Sequence, residues 1–144
     1  MKKLHFSIVI NAPKKKVWTK MLEKAGYEAW ASEFYPGSTY EGSWDEGAKI
    51  KFISPEGDGM TAVIAENKPF EYLSIKHLGY IMGGVEDTES PEIKAWAPIY
   101  ENYAFSENNG VSEVKVDIEV LPEFEEDMQQ AWPKALTRLK SICE

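Results

Sequence analysis

Between Val111 and Ile142 the apolar residues change their period, and that change constrains the fold more than any other feature of the chain. Val114, Val116, Ile118 and Val120 occupy every second position, with Glu113, Lys115, Asp117 and Glu119 between them. Such alternation defines a strand with one apolar and one solvated face. Past Pro122, the residues Phe124, Met128, Trp132, Ala135, Leu139 and Ile142 recur at steps of three and four, the apolar stripe of a helix. Glu123, Glu125, Glu126 and Asp127 crowd its first turns, and Lys134, Arg138 and Lys140 its last, as the helix dipole favours. Pro133 removes one backbone hydrogen bond inside the stripe and is expected to kink the helix. A long helix thus leaves the end of a half-buried strand, and both apolar faces need a partner.

Upstream, Leu4, Phe6, Ile8 and Ile10 alternate with polar positions, which predicts an opening strand ended by Asn11-Ala12-Pro13. Asn11 or Ala12 can cap a helix whose first position is Pro13. Val17, Trp18, Met21 and Leu22 give that helix its apolar face from Lys14 to Lys24. Gly26 is expected to interrupt it, and Tyr27 to Phe34 forms a second short helix with Trp30 and Phe34 one turn apart. Strands are then expected at 39–44, 49–54, 60–66, 72–81, 96–105 and 111–121, punctuated by turns at Asp45-Glu46-Gly47, Pro55 to Gly59, Asn67-Lys68-Pro69 and Asn108-Asn109-Gly110. The acidic stretch from Gly83 to Glu92 reads as a long solvated loop, a candidate lid over a cavity mouth. Its close-spaced oxygens also suit calcium, but it lacks the EF-hand spacing. No linker or repeat divides the chain, so residues 1–144 read as a single domain.

The expected fold is α+β: a curved antiparallel sheet wrapped around one long C-terminal helix, with two short helices after the first strand closing one end. A bent sheet and a helix do not meet flush, so a cavity between them is the natural consequence.

Composition narrows the function. Asp and Glu outnumber Lys and Arg by 24 to 16, for a net charge of -8, which disfavours nucleic acid and anionic membranes as partners. Arg138 is the one arginine, so bidentate phosphate recognition is scarce. A lone cysteine, Cys143, allows no disulfide pair within the chain, and two distant histidines, His5 and His77, make no zinc set; no metal or other cofactor is expected. No apolar run approaches the ~18 residues of a membrane span, and a cytoplasmic location is the expectation. Walker, dinucleotide and nucleophile-elbow motifs do not occur.

Several segments resemble the START/Bet v 1-like (SRPBCC) superfamily, in the branch named for activators of the heat-shock chaperone's ATPase. They are the opening strand with Asn11-Ala12-Pro13 and Val17-Trp18, Gly42-Ser43-Trp44 with Gly47, Ala65 to Pro69, Glu101-Asn102-Tyr103, and Trp132 to Leu136. The resemblance spans nearly the whole chain. It implies a helix-grip fold with a ligand cavity, and a fold that hosts binders, transporters, cyclases and co-chaperones alike.

Within such a cavity, Trp30, Phe34, Phe52, His77, Tyr103 and Trp132 are the candidate ligand-binding residues, because aromatic walls with a few polar tips suit a small molecule. His77 shares a strand face with Leu73 and Ile81; it is either a buried acid, base or polar anchor, or a structural core histidine, or a ring on the outer face. Glu101 shares a face with Ile99 and Tyr103; turned inward it is a candidate base, turned outward it is solvated. The expected function is binding of a small apolar or aromatic ligand. The alternatives are a cyclase or hydrolase using His77 or Glu101, and a chaperone-associated stress protein. A monomer or a homodimer fits either reading.

Overall fold

In the computed structural model, which describes residues 1–144, the chain runs β1 (Lys2–Ile10), α1 (Lys14–Leu22), α2 (Lys24–Ala31), β2 (Thr39–Gly42), β3 (Lys49–Ile53), β4 (Gly59–Lys68), β5 (Tyr72–Met82), β6 (Val85–Asp87), α3 (Pro91–Lys94), β7 (Ile99–Asn108) and β8 (Val111–Val120). A 3-10 turn, Pro122–Phe124, then leads into α4 (Glu125–Cys143). The eight strands form one antiparallel sheet in the order β1-β8-β7-β5-β4-β3-β2, with β6 added to β5. The sheet curves around α4, and α1 and α2 pack between α4 and the sheet. This is the α+β helix-grip arrangement expected from the order of elements.

The alternating residues behave as their period requires. Leu4 and Ile10 of β1 and Val114, Val116, Ile118 and Val120 of β8 are buried, and the two strands pair over their whole length from Lys2↔Val120 to Ile10↔Ser112. The helix stripe buries Trp132, Ala135 and Leu139, together with Leu136 and Cys143, in a single core cluster shared with the sheet. Phe124, at the stripe's start, is 42% exposed.

Four local expectations change. The two short helices break at Glu23, whose backbone is extended (φ -66, ψ 155), and Gly26 lies inside α2. Gly26 is needed there for another reason: a Cβ would stand 1.6 Å from the Lys20 carbonyl oxygen, where α2 crosses the end of α1. Pro13 is the N-cap of α1 and not its first helical residue.

The acidic stretch is no loose loop. Gly83 and Gly84 turn the chain so that Met82 pairs with Val85, and β6 is an extra strand. Glu86 contacts Lys49 at 2.8 Å, Lys51 at 3.4 Å and Thr61 at 2.6 Å, while Asp87 accepts from the backbone N–H of Ser90 at 3.0 Å. Opposite charges and turn geometry give these carboxylates partners that sequence spacing does not reveal.

Finally, β7 begins at Ile99, not Trp96. Ser90 accepts from the Ile93 N–H and caps α3, Pro91 occupies its first turn, and Pro98 has no N–H to donate to a ladder.

Candidate functional site

The middle of β5 decides where the site lies. From Tyr72 to His77, β5 pairs with β7; from Tyr80 to Met82 it pairs with β6 instead. His77 is thus the last residue of β5 still held by β7, opposite Ile99. On its other side the β4 register shifts, because Thr61 pairs with Gly79 and Ala62 with His77. The bulge reverses the alternation of β5. Tyr80 therefore faces the same hollow as His77, and Ile81, expected on that face, is buried outside the main core cluster. Gly79 permits the switch, since a Cβ there would meet the Asp87 carbonyl oxygen at 2.0 Å.

Under this parting of strands lies a cavity of about 400 Å³. Its walls come from α2 (Tyr27, Trp30, Ala31), the segment after it (Phe34, Ser38), the sheet (Phe52, Met60, His77, Tyr80, Ile99, Tyr100, Glu101, Tyr103, Ile118, Glu119, Val120) and the C-terminal region (Leu121, Phe124, Met128, Trp132). All six candidate ligand-binding residues, Trp30, Phe34, Phe52, His77, Tyr103 and Trp132, line it, and so does Glu101. None of residues 83–92 lines it, so the acidic stretch is not its lid. Sequence reasoning missed Tyr27, Met60, Tyr80 and Glu119; for Tyr80 the missing signal was the bulge, which no period-two count reveals.

An aromatic group holds the cavity's inner end. Trp132 of α4 packs against Phe34, Trp30, Tyr103 and Phe6, at centroid distances of 5.0, 5.7, 6.0 and 6.2 Å. Tyr27 packs edge-on to Trp30 at 4.9 Å and to Tyr40 at 5.2 Å. Three of the polar tips in this region are tied to the C-terminal end of α1. The Trp30 indole N–H donates to the Met21 carbonyl at 2.9 Å, and the Tyr40 hydroxyl and Trp44 indole donate to the Leu22 carbonyl at 2.7 and 2.9 Å. Carbonyls left unpaired at a helix end are satisfied by aromatic donors, which fixes those rings.

The polar part of the wall is a three-residue chain. Glu101 and Tyr103 sit two apart on β7, hence on one face, and His77 is the diagonal neighbour of Glu101 across the β5–β7 ladder. The His77 Nε2 lies 3.0 Å from Glu101 Oε1, and the Tyr103 hydroxyl donates to Glu101 Oε2. Burial, reinforced by the Glu101 charge, raises the Tyr103 hydroxyl well above the usual tyrosine range. Burial first and Glu101 second also push the Tyr27 hydroxyl up. Both phenols therefore keep their protons, and Tyr103 is a permanent donor to Glu101. The Nδ1 of His77 is buried without a hydrogen-bond partner. In the neutral ring, Nε2–H faces Glu101 and leaves Nδ1 as an unpaired acceptor. Of the two placements left open for Glu101, the structure has the inward one: its side chain lines the cavity and is 22% exposed, and that of His77 is 7% exposed.

His5 is on the outside of β1, 2.5 Å from Asp117 and remote from this cavity by its strand face. Cys143 is buried, and its surroundings push the thiol up to about 11, chiefly by desolvation, which suits a packed thiol and not a nucleophile. No helix is long and apolar enough to cross a membrane.

Solved structures share this architecture. A protein of Mesorhizobium loti superposes with a TM-score of 0.74 at 11% identity, covering 97% of this chain and 95% of its own. The Aha1 dimer from Colwellia psychrerythraea gives 0.72 at 18% identity, covering 100% and 97%. CalU16 from Micromonospora echinospora gives 0.68 at 14% identity, covering 99% and 76%. No family model matches the chain, and no curated protein sequence matches it. At these identities the likeness shows the helix-grip fold alone, the fold that the sequence resemblance implied.

Proposed function

We propose that this protein binds a small, largely apolar or aromatic molecule in the cavity between the sheet and α4. The carrying observation is the cavity itself: about 400 Å³, lined by 20 residues of which 16 are hydrophobic, with three of its polar side chains, His77, Glu101 and Tyr103, joined in one chain of contacts. A mostly apolar hollow with convergent polar atoms is the form small-molecule sites take. It lies within the usual range of about 300–1,000 Å³ for such sites.

The test is a library of apolar and aromatic compounds, read by thermal shift and by the indole N–H resonances of Trp30 and Trp132. A ligand present at about 100 times its Kd adds about 2.7 kcal/mol to stability. The expected result is a raised melting temperature accompanied by shifts at the two cavity tryptophans. A library that moves neither overturns the proposal.

A second reading, an acid–base catalyst of the cyclase or hydrolase kind, draws support from the 3.0 Å contact of His77 with Glu101 in the cavity wall. Mass spectrometry of a bound ligand after prolonged incubation separates the two: a binder returns it unchanged, whereas a catalyst returns product.

A further inference from the structure

Charge is one-sided in the wall of this cavity. No lysine or arginine lines it, while two carboxylates do, Glu101 and Glu119. Several donors in its wall are spent internally. The Tyr103 hydroxyl donates to Glu101, and the Nε2 of His77 faces the same carboxylate. The Trp30 indole is given to the Met21 carbonyl, and the Ser38 hydroxyl donates to the Tyr35 carbonyl at 2.6 Å. Neutral donors remain in the wall at the Tyr27, Tyr80 and Tyr100 hydroxyls and the Trp132 indole, whereas the charged capacity that remains is acceptor. A carboxylate offers about four lone-pair positions, and the groups already facing Glu101 are two, so acceptor capacity is left on a side chain that is 22% exposed and lines the hollow.

A ligand carboxylate or phosphate entering here would lose its water and meet negative charge with no lysine or arginine to receive it. A protonated amine meets the reverse: a counter-ion in Glu101 and a wall containing the aromatic rings of Phe52, Tyr103 and Trp30, a ring type that attracts cations. The net charge of -8 also raises the concentration of cations near the protein.

We propose that the cavity selects a protonated amine carried on an apolar body, with Glu101 as its counter-ion, and discriminates against a carboxylate of the same shape. This rests on the small-molecule reading above and narrows it to a ligand class.

The experiment is a matched series at pH 7, 2-naphthylmethylamine, 2-naphthylmethanol and 2-naphthoate, titrated into the full chain by calorimetry and by NMR of the indole N–H groups. The amine is expected to bind at least about tenfold more tightly than the carboxylate, with the alcohol between them. In Glu101→Gln the amine loses about tenfold and the alcohol less than about threefold, which removes the preference for the amine. Because the wild-type series alone ranks the three head groups, the result does not depend on that variant folding well. A carboxylate that binds as tightly as the amine overturns the amine selectivity and leaves the cavity-binding reading standing; so does an amine-to-alcohol ratio unchanged in Glu101→Gln. Failure of all three to bind, with no shift at Trp30 or Trp132, removes the cavity-binding reading and the selectivity together.

Discussion

Tyr103 is 1% exposed and donates a hydrogen bond from its hydroxyl to a carboxylate two residues along its own strand. A buried donor aimed at a charged acceptor holds that acceptor in one place, and here it also fixes where the negative charge of the cavity wall lies. Tyr103→Phe keeps the ring and deletes only the hydroxyl. The expected cost is about 1.5–3 kcal/mol, the range for hydrogen bonds to charged groups. Urea denaturation measures it. Combined with Glu101→Gln, the two costs should fall short of their sum, because both changes remove the same bond. Strict additivity would show that the hydroxyl and the carboxylate are not coupled. His77 shows a different side of the same cluster: one nitrogen faces Glu101 and the other has no partner. A buried ring nitrogen without a partner is a cost that a purely structural histidine would not be expected to carry.

The elements explain why the polar cluster is where it is. β5 is shared between two neighbours, β7 for its first half and β6 for its second, and the hollow opens at the point of divergence. β4 holds the other edge of β5 as far as Ile81, and Glu86 ties β6 itself back to β3 and β4. The Lys49 ammonium first, then the Thr61 hydroxyl, hold its carboxyl down at about 2 against an ordinary value of 4.5. In the unfolded chain Glu86 takes up its proton near the ordinary value, whereas in the folded protein it resists protonation until about 2. Its contribution is complete above pH 4.5 and disappears as the pH falls from 4.5 to about 2. Glu86→Gln should accordingly be less stable than wild type at neutral pH, and the gap should close across that acid window. Urea midpoints at a series of pH values check this, and a gap that stays constant down to pH 2 would contradict it.

At the scale of the whole molecule, sheet and α4 are joined by an aromatic group at one end and stand apart at the other. Trp132, 3% exposed, touches the sheet through Phe6 and Tyr103 and the short helices through Trp30 and Phe34. Phe124 lines the same cavity but is 42% exposed, where it meets solvent. Trp132→Ala should cost about 3–5 kcal/mol, the range for deleting a buried large aromatic side chain. Phe124→Ala should change stability by no more than about 0.5 kcal/mol, as exposed substitutions do. Thermal and urea denaturation of the two variants measure the contrast, and similar costs would mean that the inner end does not hold the fold together.

Much of this was decided by residue order alone. The alternation of Val114 to Val120 and the stripe from Trp132 to Leu139 dictated a half-buried strand running into a long helix, because a period of two and a period near 3.6 cannot be satisfied by any other local geometry. The aromatic cavity residues followed from the faces those periods define. What the tertiary structure alone decided is everything that depends on contacts between distant segments. The break at Glu23, the pairing of Glu86 with two lysines, and the bulge that turns Tyr80 and not Ile81 into the hollow have no signature in local periodicity. Neither does the meeting of His77, Glu101 and Tyr103, since the register between β5 and β7 is set by how whole strands pack and not by any residue within them.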